Sequence, residues 1–202
     1  MKLNIGCGAK LLRDYINIDK YPTSEEVLKG DLAIGIPLES ACADEILLDN
    51  VIEHVTSVVD SMREAHRLLK IGGVLRILTP HYSSQASWRD PTHLHHLSYF
   101  SFDYFTGAKS YIPGCTFKVL EKHLSFGGGW SSFGRFIFHL SPNRYEKNFA
   151  FIFPASTIRV TMQKVTLSCD KASSNPTRLQ DIGAELGGGE PLDSSLAPVT
   201  KR

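Results

Sequence analysis

The segment from Asp44 to Leu78 narrows the choice of fold more than any other part of this chain. Asp44 to Leu48 reads as a strand, with Asp49 and Asn50 at its carboxyl end. From about Ser57 to Lys70, the apolar residues Val58, Val59, Met62, Ala65, Leu68 and Leu69 recur at helical spacing. Ser57 is placed to cap that helix, and Gly72-Gly73 stops it after Lys70. Val74 to Leu78 reads as another strand, β-branched and apolar, and Pro80 ends it. Short buried strands joined by a helix predict a parallel sheet in an α/β fold.

The flanking sequence extends this pattern. Leu3 to Ile5 predicts a buried strand that enters the turn Gly6-Cys7-Gly8, and Tyr15 to Ile18 predicts a second strand closed by Asp19. Between residues 20 and 40, Pro22, Gly30, Gly35 and Pro37 mark turns, and Asp31-Leu32-Ala33 reads as the end of a weak third strand. Thr116 to Leu124 predicts a strand, and Ile158 to Val165 alternates as an edge strand or hairpin arm does. The aromatics between Trp130 and Phe138 read as core more than as a pocket.

Residues 81–113 are rich in His, aromatic, Ser and Asp residues, and predict a lid over the sheet edge with a short helix around Ser101 to Phe105. The apolar pattern ends near residue 167, so 1–167 reads as one domain and 168–202 as a flexible tail.

Composition excludes several classes of function. With 42% hydrophobic and 21% charged residues the chain is globular, and a net charge of +1 with no run of Lys and Arg gives no expectation of nucleic acid. No apolar stretch approaches membrane-spanning length, and the first residues do not form a signal peptide, so a cytoplasmic location and no membrane insertion are expected. The cysteines, Cys7, Cys42, Cys115 and Cys169, show no C-x-x-C pair and read as thiols. Cys7 lies in a glycine-rich turn, where a small filler explains it better than a nucleophile does.

A strand running into Gly6-x-Gly8 presents backbone N–H groups at the carboxyl edge of a parallel sheet, where only small side chains let a ligand approach. Asp19, at the end of the next strand, can accept both hydroxyl hydrogens of a ribose. Ten residues separate Gly8 from Asp19, too few for a full crossover helix. That shortness also counts against a nicotinamide-dependent oxidoreductase, whose fingerprint has a third glycine and an acidic residue about 20 positions on.

Leu3-Asn4-Ile5-Gly6-Cys7-Gly8 resembles the first motif of class I methyltransferases, and Ile16-Asn17-Ile18-Asp19 resembles the acidic strand that follows it. Leu47 to Val55 and Glu64 to Leu75 are similar to the fourth-strand loop, helix and fifth-strand entry of the type 11 group. The resemblance is strong through residue 80 and recognisable to about 166. It implies a Rossmann-like, mostly parallel seven-stranded sheet with a shortened first crossover and a lid insertion. It further implies S-adenosylmethionine as cofactor, with Gly6, Cys7 and Gly8 at the methionine part, Asp19 on the ribose, Asp31 and Leu32 near the adenine, and Asn50 near the methionyl end. Asn4 stands where the family commonly has Asp.

Methyl transfer to a hydroxyl or protonated amine needs a group that takes the acceptor's proton. The segment Arg89-Asp90-Pro91-Thr92-His93-Leu94-His95-His96 concentrates such groups, and similar Asp-Pro-Thr-His segments recur in this branch. His93 is the first choice as base, with Asp90 to orient it or to touch the acceptor; lid fastening is the bland alternative. His81, His93, His95, His96 and Asp90 are necessary for a metal site but not sufficient, and no metal is assigned. Tyr82, Trp88, Tyr99 and Phe100 are candidates to line an acceptor pocket. The expected activity is methyl transfer to a small-molecule acceptor such as a glycan precursor or natural product. The competing reading is a non-catalytic cofactor-binding scaffold that keeps the fold. A homo-oligomer through the aromatic region after residue 124 is compatible with both.

Overall fold

In a computed structural model, residues 1–107 and 112–166 are described, and the tail expected over 168–202 lies outside them. Seven strands form one sheet: β1 (Lys2–Ile5), β2 (Ile16–Asp19), β3 (Leu28–Lys29), β4 (Ala43–Asp49), β5 (Leu69–Pro80), β6 (Phe117–Phe126) and β7 (Ala155–Lys164). Their order is β3-β2-β1-β4-β5-β7-β6. The first five strands run parallel, and β7 lies antiparallel between β5 and β6. This is the mostly parallel, Rossmann-like sheet expected from the sequence.

Alternation along the strands separates two faces. Leu3, Ile5, Ile46, Leu48, Leu75, Ile77, Ile158 and Met162 are buried on one of them. Helix α1 (Val58–Leu68) buries Met62, Ala65 and Leu68 against this core, with Ser57 as its cap, the Ser57 Oγ accepting from the N–H of Asp60 at 3.2 Å. The helix ends two residues before the expected Lys70, because Leu69 already pairs with Ala43 as the first residue of β5. Gly72, at φ +81°, lies in the irregular entry of that strand.

The opposite face carries no helix over β1 to β5 among the described residues, and polar groups such as Asn17, Glu45 and Arg76 stand there partly or fully exposed beside the half-buried Leu47, Val74 and Leu78. Glu45 accepts hydrogen bonds there from the Tyr15 hydroxyl at 2.9 Å and the Arg76 Nε at 3.0 Å. Parallel sheets are ordinarily covered on both faces. Here every crossover before α1 is helix-free, which accounts for the short spacing noted from Gly8 to Asp19.

Side chains fasten these crossovers instead. Asn4 Nδ2 donates to the carbonyl of Lys10 and to Asn17 Oδ1, and Asn17 brackets the N–H and carbonyl of Leu12. Farther along, Glu64 accepts from the Ile36 N–H at 2.7 Å, while Arg67 donates to the carbonyls of Ile36 and Leu38. Two residues of α1 thus supply the hydrogen bonds that a crossover helix would otherwise satisfy internally.

Three sequence expectations need correction. The third strand is Leu28–Lys29, ahead of Asp31-Leu32-Ala33, because Asp31 Oδ1 accepts from the Ala33 N–H and folds that tripeptide into a turn. β7 is an interior strand and not an edge, since β6 takes the edge, although it does pair antiparallel with β6 as a hairpin arm does. Of the aromatics after residue 129, Phe138 is buried, but Trp130, Phe133 and Phe136 are exposed on and beside helix α3 (Ser131–Leu140). Ten residues give that helix only one side against the sheet.

Residues 81–107 pack over the carboxyl ends of the strands through helix α2 (Gln85–Arg89) and a 3-10 helix at Ser101–Phe105, the short helix expected there. His81 is fully buried and fastens the segment: the Ser83 N–H donates to its Nδ1, and its Nε2 donates to Glu146 at 2.9 Å. No helix among the described residues is long and apolar enough to cross a membrane.

Candidate functional site

Two cavities open at the carboxyl edge of the sheet, where open α/β folds bind their ligands. The first, about 330 Å³, is lined by Gly6, Asp19, Lys20, Tyr21, Asp31, Leu32, Asn50, His54 and Thr92 among others. Gly6 has φ +68°, and a Cβ there would stand 2.5 Å from a Val51 methyl carbon. Both the backbone conformation and the space therefore require glycine. Gly8 does not line the cavity; its N–H donates to Asp19 Oδ2 at 2.8 Å, and the Tyr21 N–H donates to Oδ1 at 2.8 Å. Each carboxylate oxygen keeps a further lone pair, so Asp19 is held rigidly and can still accept from a vicinal diol.

Asp31 forms an ion pair with Lys20 at 3.0 Å. Burial pushes its carboxyl up, but the Lys20 ammonium and the Ala33 N–H outweigh that and hold it below the ordinary value. Leu32 is buried and supplies an apolar wall. Asn50, in the left-handed region at φ +55°, is fixed by its N–H to the Leu78 carbonyl. Cys7 is buried and lines neither cavity, and its Sγ faces the Gly8 carbonyl. Burial raises its thiol pKa, with the Asp19 charge adding to the effect, the opposite of what a nucleophile needs.

The second cavity is lined by Asn50, Glu53, His54, Pro80, Ala86, Arg89, Asp90, Pro91 and His93. It meets the first at Asn50 and His54. His93 and Asp90, paired by sequence reading, both line it, with His93 Nε2 3.9 Å from Asp90 Oδ2. The Asp90 carboxyl is held low by the Thr92 hydroxyl and N–H, both of which donate to it. Of the other histidines in this segment, His95 Nε2 donates to the Val55 carbonyl and His96 pairs with Ser87 Oγ. Neither points into the cavity lining.

Sequence reading passed over Glu53. It is 2% exposed, its Oε2 accepts from the Thr79 hydroxyl at 3.0 Å, and its Oε1 has no partner. Burial pushes this carboxyl up, against weaker lowering by its own N–H and by Thr79. A Glu-His dipeptide in the loop that follows a parallel strand was the available signal. Tyr82, Trp88, Tyr99 and Phe100 line neither cavity; Tyr82 donates to the Glu146 carbonyl, and Lys122 stands over both rings of the Tyr99-Phe100 pair.

Residues 10–77 match a family described as a methyltransferase domain. No curated protein matches the chain. Among solved structures, the fold is similar to an S-adenosylmethionine-dependent methyltransferase from Archaeoglobus fulgidus, with a TM-score of 0.54, 16% identity, and coverage of 81% of this chain and 85% of that one. It is likewise similar to YcgJ of Bacillus subtilis, with a TM-score of 0.52, 15% identity and coverage of 82% and 92%. A methyltransferase from Mesorhizobium loti gives 0.51, 13% identity and coverage of 80% and 89%.

Proposed function

We propose that this chain is a class I methyltransferase, a reading supported by its fold and by the match of residues 10–77 to a methyltransferase domain, and that it methylates a hydroxyl or amine of a small polar molecule, such as a glycan precursor or natural product. The observation that carries the reading is the meeting of the two cavities at Asn50 and His54. One holds the donor and the other the acceptor, so the two ligands are brought end to end at that point.

The first cavity fits S-adenosylmethionine by its chemistry. Gly6 leaves open backbone beside the methionine part, Asp19 has spare lone pairs for the ribose diol, and Leu32 and Asp31 offer the adenine an apolar face and an acceptor. When bound, the cofactor supplies an electrophilic methyl group on a sulfonium. Asn50 sits at the passage between donor and acceptor, and the walls of both cavities exclude competing water. Arg89, Asp90 and His93 give the acceptor side charge and hydrogen-bonding groups, and the Asp90–His93 pair is the place for the proton the acceptor gives up.

The chain's polar acceptor cavity and its net charge of +1 favour a small hydroxylated molecule over nucleic acid. The test is calorimetric titration of the purified protein with S-adenosylmethionine and, separately, with NAD. Saturable binding of the first alone is the expected result. Binding of NAD instead, or of neither ligand by a folded sample, overturns the reading.

A further inference from the structure

The second cavity holds the one group of metal-ligand side chains that converges among the described residues. One donor atom from each of Glu53, His54 and His93 lies within 4.8 Å of the others. Bonds of about 2.1 Å to a tetrahedral ion set donors about 3.4 Å apart, a closure within reach of the exposed His54 side chain.

Proximity alone does not make a site, and two further features point to a cation. The first is the unpartnered Oε1 of Glu53, an inaccessible carboxylate oxygen on a residue that is 2% exposed. A buried acceptor left without a donor is costly, and a bound cation relieves that cost. The second is the hydrogen bonding of the imidazoles. His93 Nδ1 lies 2.9 Å from the Ser87 carbonyl, and a carbonyl can only accept, so Nδ1 carries the hydrogen. His54 Nδ1 faces the Thr92 carbonyl at 3.3 Å and Thr92 Oγ1 at 3.0 Å, while that hydroxyl donates onward to Asp90 at 2.7 Å. Both rings therefore keep Nδ1–H and offer the Nε2 lone pair, the arrangement that outer-sphere carbonyls impose on metal-binding histidines.

We propose that Glu53, His54 and His93 form a binding site for a divalent first-row transition ion. Two imidazole nitrogens and one carboxylate oxygen suit zinc, cobalt or manganese better than magnesium or calcium, which favour all-oxygen sets. Three protein ligands leave a coordination position toward the second cavity. Resting on the methyl-transfer reading, that position would take the acceptor hydroxyl and lower its pKa. His93 then gives its lone pair to the ion, and the proton is left to the neighbouring Asp90.

The test is titration of the metal-stripped full chain with Co²⁺, followed by visible absorption and calorimetry, with no cofactor or acceptor present. Its failure is thus distinct from failure of the methyl-transfer reading. The expected result is saturation at one ion per chain, displaced by Zn²⁺. His54→Ala, on an exposed residue, and Glu53→Gln, which keeps the side-chain shape, each weaken binding at least tenfold, and His96→Ala changes it less than twofold. Absence of saturable binding in the folded chain, or binding indifferent to both His54→Ala and Glu53→Gln, overturns the proposal.

Discussion

Asn4 and Asn17 stand side by side on neighbouring strands, Asn4 Nδ2 donating to Asn17 Oδ1 at 2.9 Å on the helix-free face of the sheet. Through them the backbone at Lys10 and Leu12 is tied down, and with it the first crossover that carries Gly6 and Gly8. Asn4 is 3% exposed, so an apolar replacement strands the groups it satisfied. Asn4→Leu is expected to lower stability by about 1–3 kcal/mol. Asn17→Leu has a similar effect, and the double variant loses less than the sum because the pair shares a bond. Urea unfolding of the three variants checks this, and strict additivity would show the two side chains acting independently.

That same pair marks where sequence reading stopped. Strands at Leu3 to Ile5 and Ile16 to Asp19, helix α1 with its Ser57 cap, and the short helix at Ser101 to Phe105 were legible because local pattern and chain punctuation agree there. The helix-free crossovers were legible only as a shortage of residues. What holds them, Asn4 with Asn17 and Glu64 with Arg67, depends on pairs that are distant in sequence or aimed at distant backbone. The exposed aromatics of α3 misled for a related reason: composition does not tell which side of a short helix the sheet covers. In the site, Asp19 was visible as a strand-end residue, and the roles of Asp31 and Asn50 only through the family resemblance. Glu53 was not, since its distinguishing property is an unpartnered buried oxygen.

Gly6 is constrained twice, by its φ of +68° and by the Val51 side chain. Gly6→Ala is expected to abolish measurable S-adenosylmethionine binding. Adding Val51→Ala removes the clashing methyl groups but not the backbone strain, so it recovers only part of the affinity. Asp19→Ala removes the diol acceptor and is expected to weaken binding about ten- to a hundredfold. Calorimetric titration of the three variants against the parent checks each step, and an unchanged affinity in Asp19→Ala would remove that residue from the site.

Glu146 fastens the lid by accepting from His81 Nε2 and from the Tyr99 N–H. Burial pushes its carboxyl up, but the His81 and Tyr99 bonds outweigh that and hold it below the ordinary glutamate value. A carboxylate depressed in the folded state stabilises the fold fully above the unfolded pKa of about 4.3. That contribution is lost as the pH falls through the lower folded value. Glu146→Gln is therefore expected to be less stable than the parent at pH 7 and to lose less on acidification. Urea midpoints from pH 7 to pH 3.5 test it, and parallel curves for the two proteins would mean the carboxylate is not coupled to folding.

Trp88 is 58% exposed, yet it is held in place. Its Nε1 donates to the Tyr82 carbonyl at 2.6 Å, and its ring stacks on His96 with centroids 3.6 Å apart and planes 15° from parallel. Its neighbour in α2, Arg89, lines the second cavity. An indole fixed in orientation but left open to solvent offers an apolar platform on which the face of a sugar ring can pack without an ordering cost. Trp88→Ala is expected to raise the KM for a glycan-type acceptor by about fivefold, on the basis of roughly 1 kcal/mol for an aromatic contact. The KM for S-adenosylmethionine stays unchanged, and Trp88→Phe keeps most of the acceptor affinity. Steady-state kinetics with both substrates varied separates the two constants. A loss confined to kcat, or one shared by the cofactor, would place Trp88 in lid stability rather than acceptor recognition.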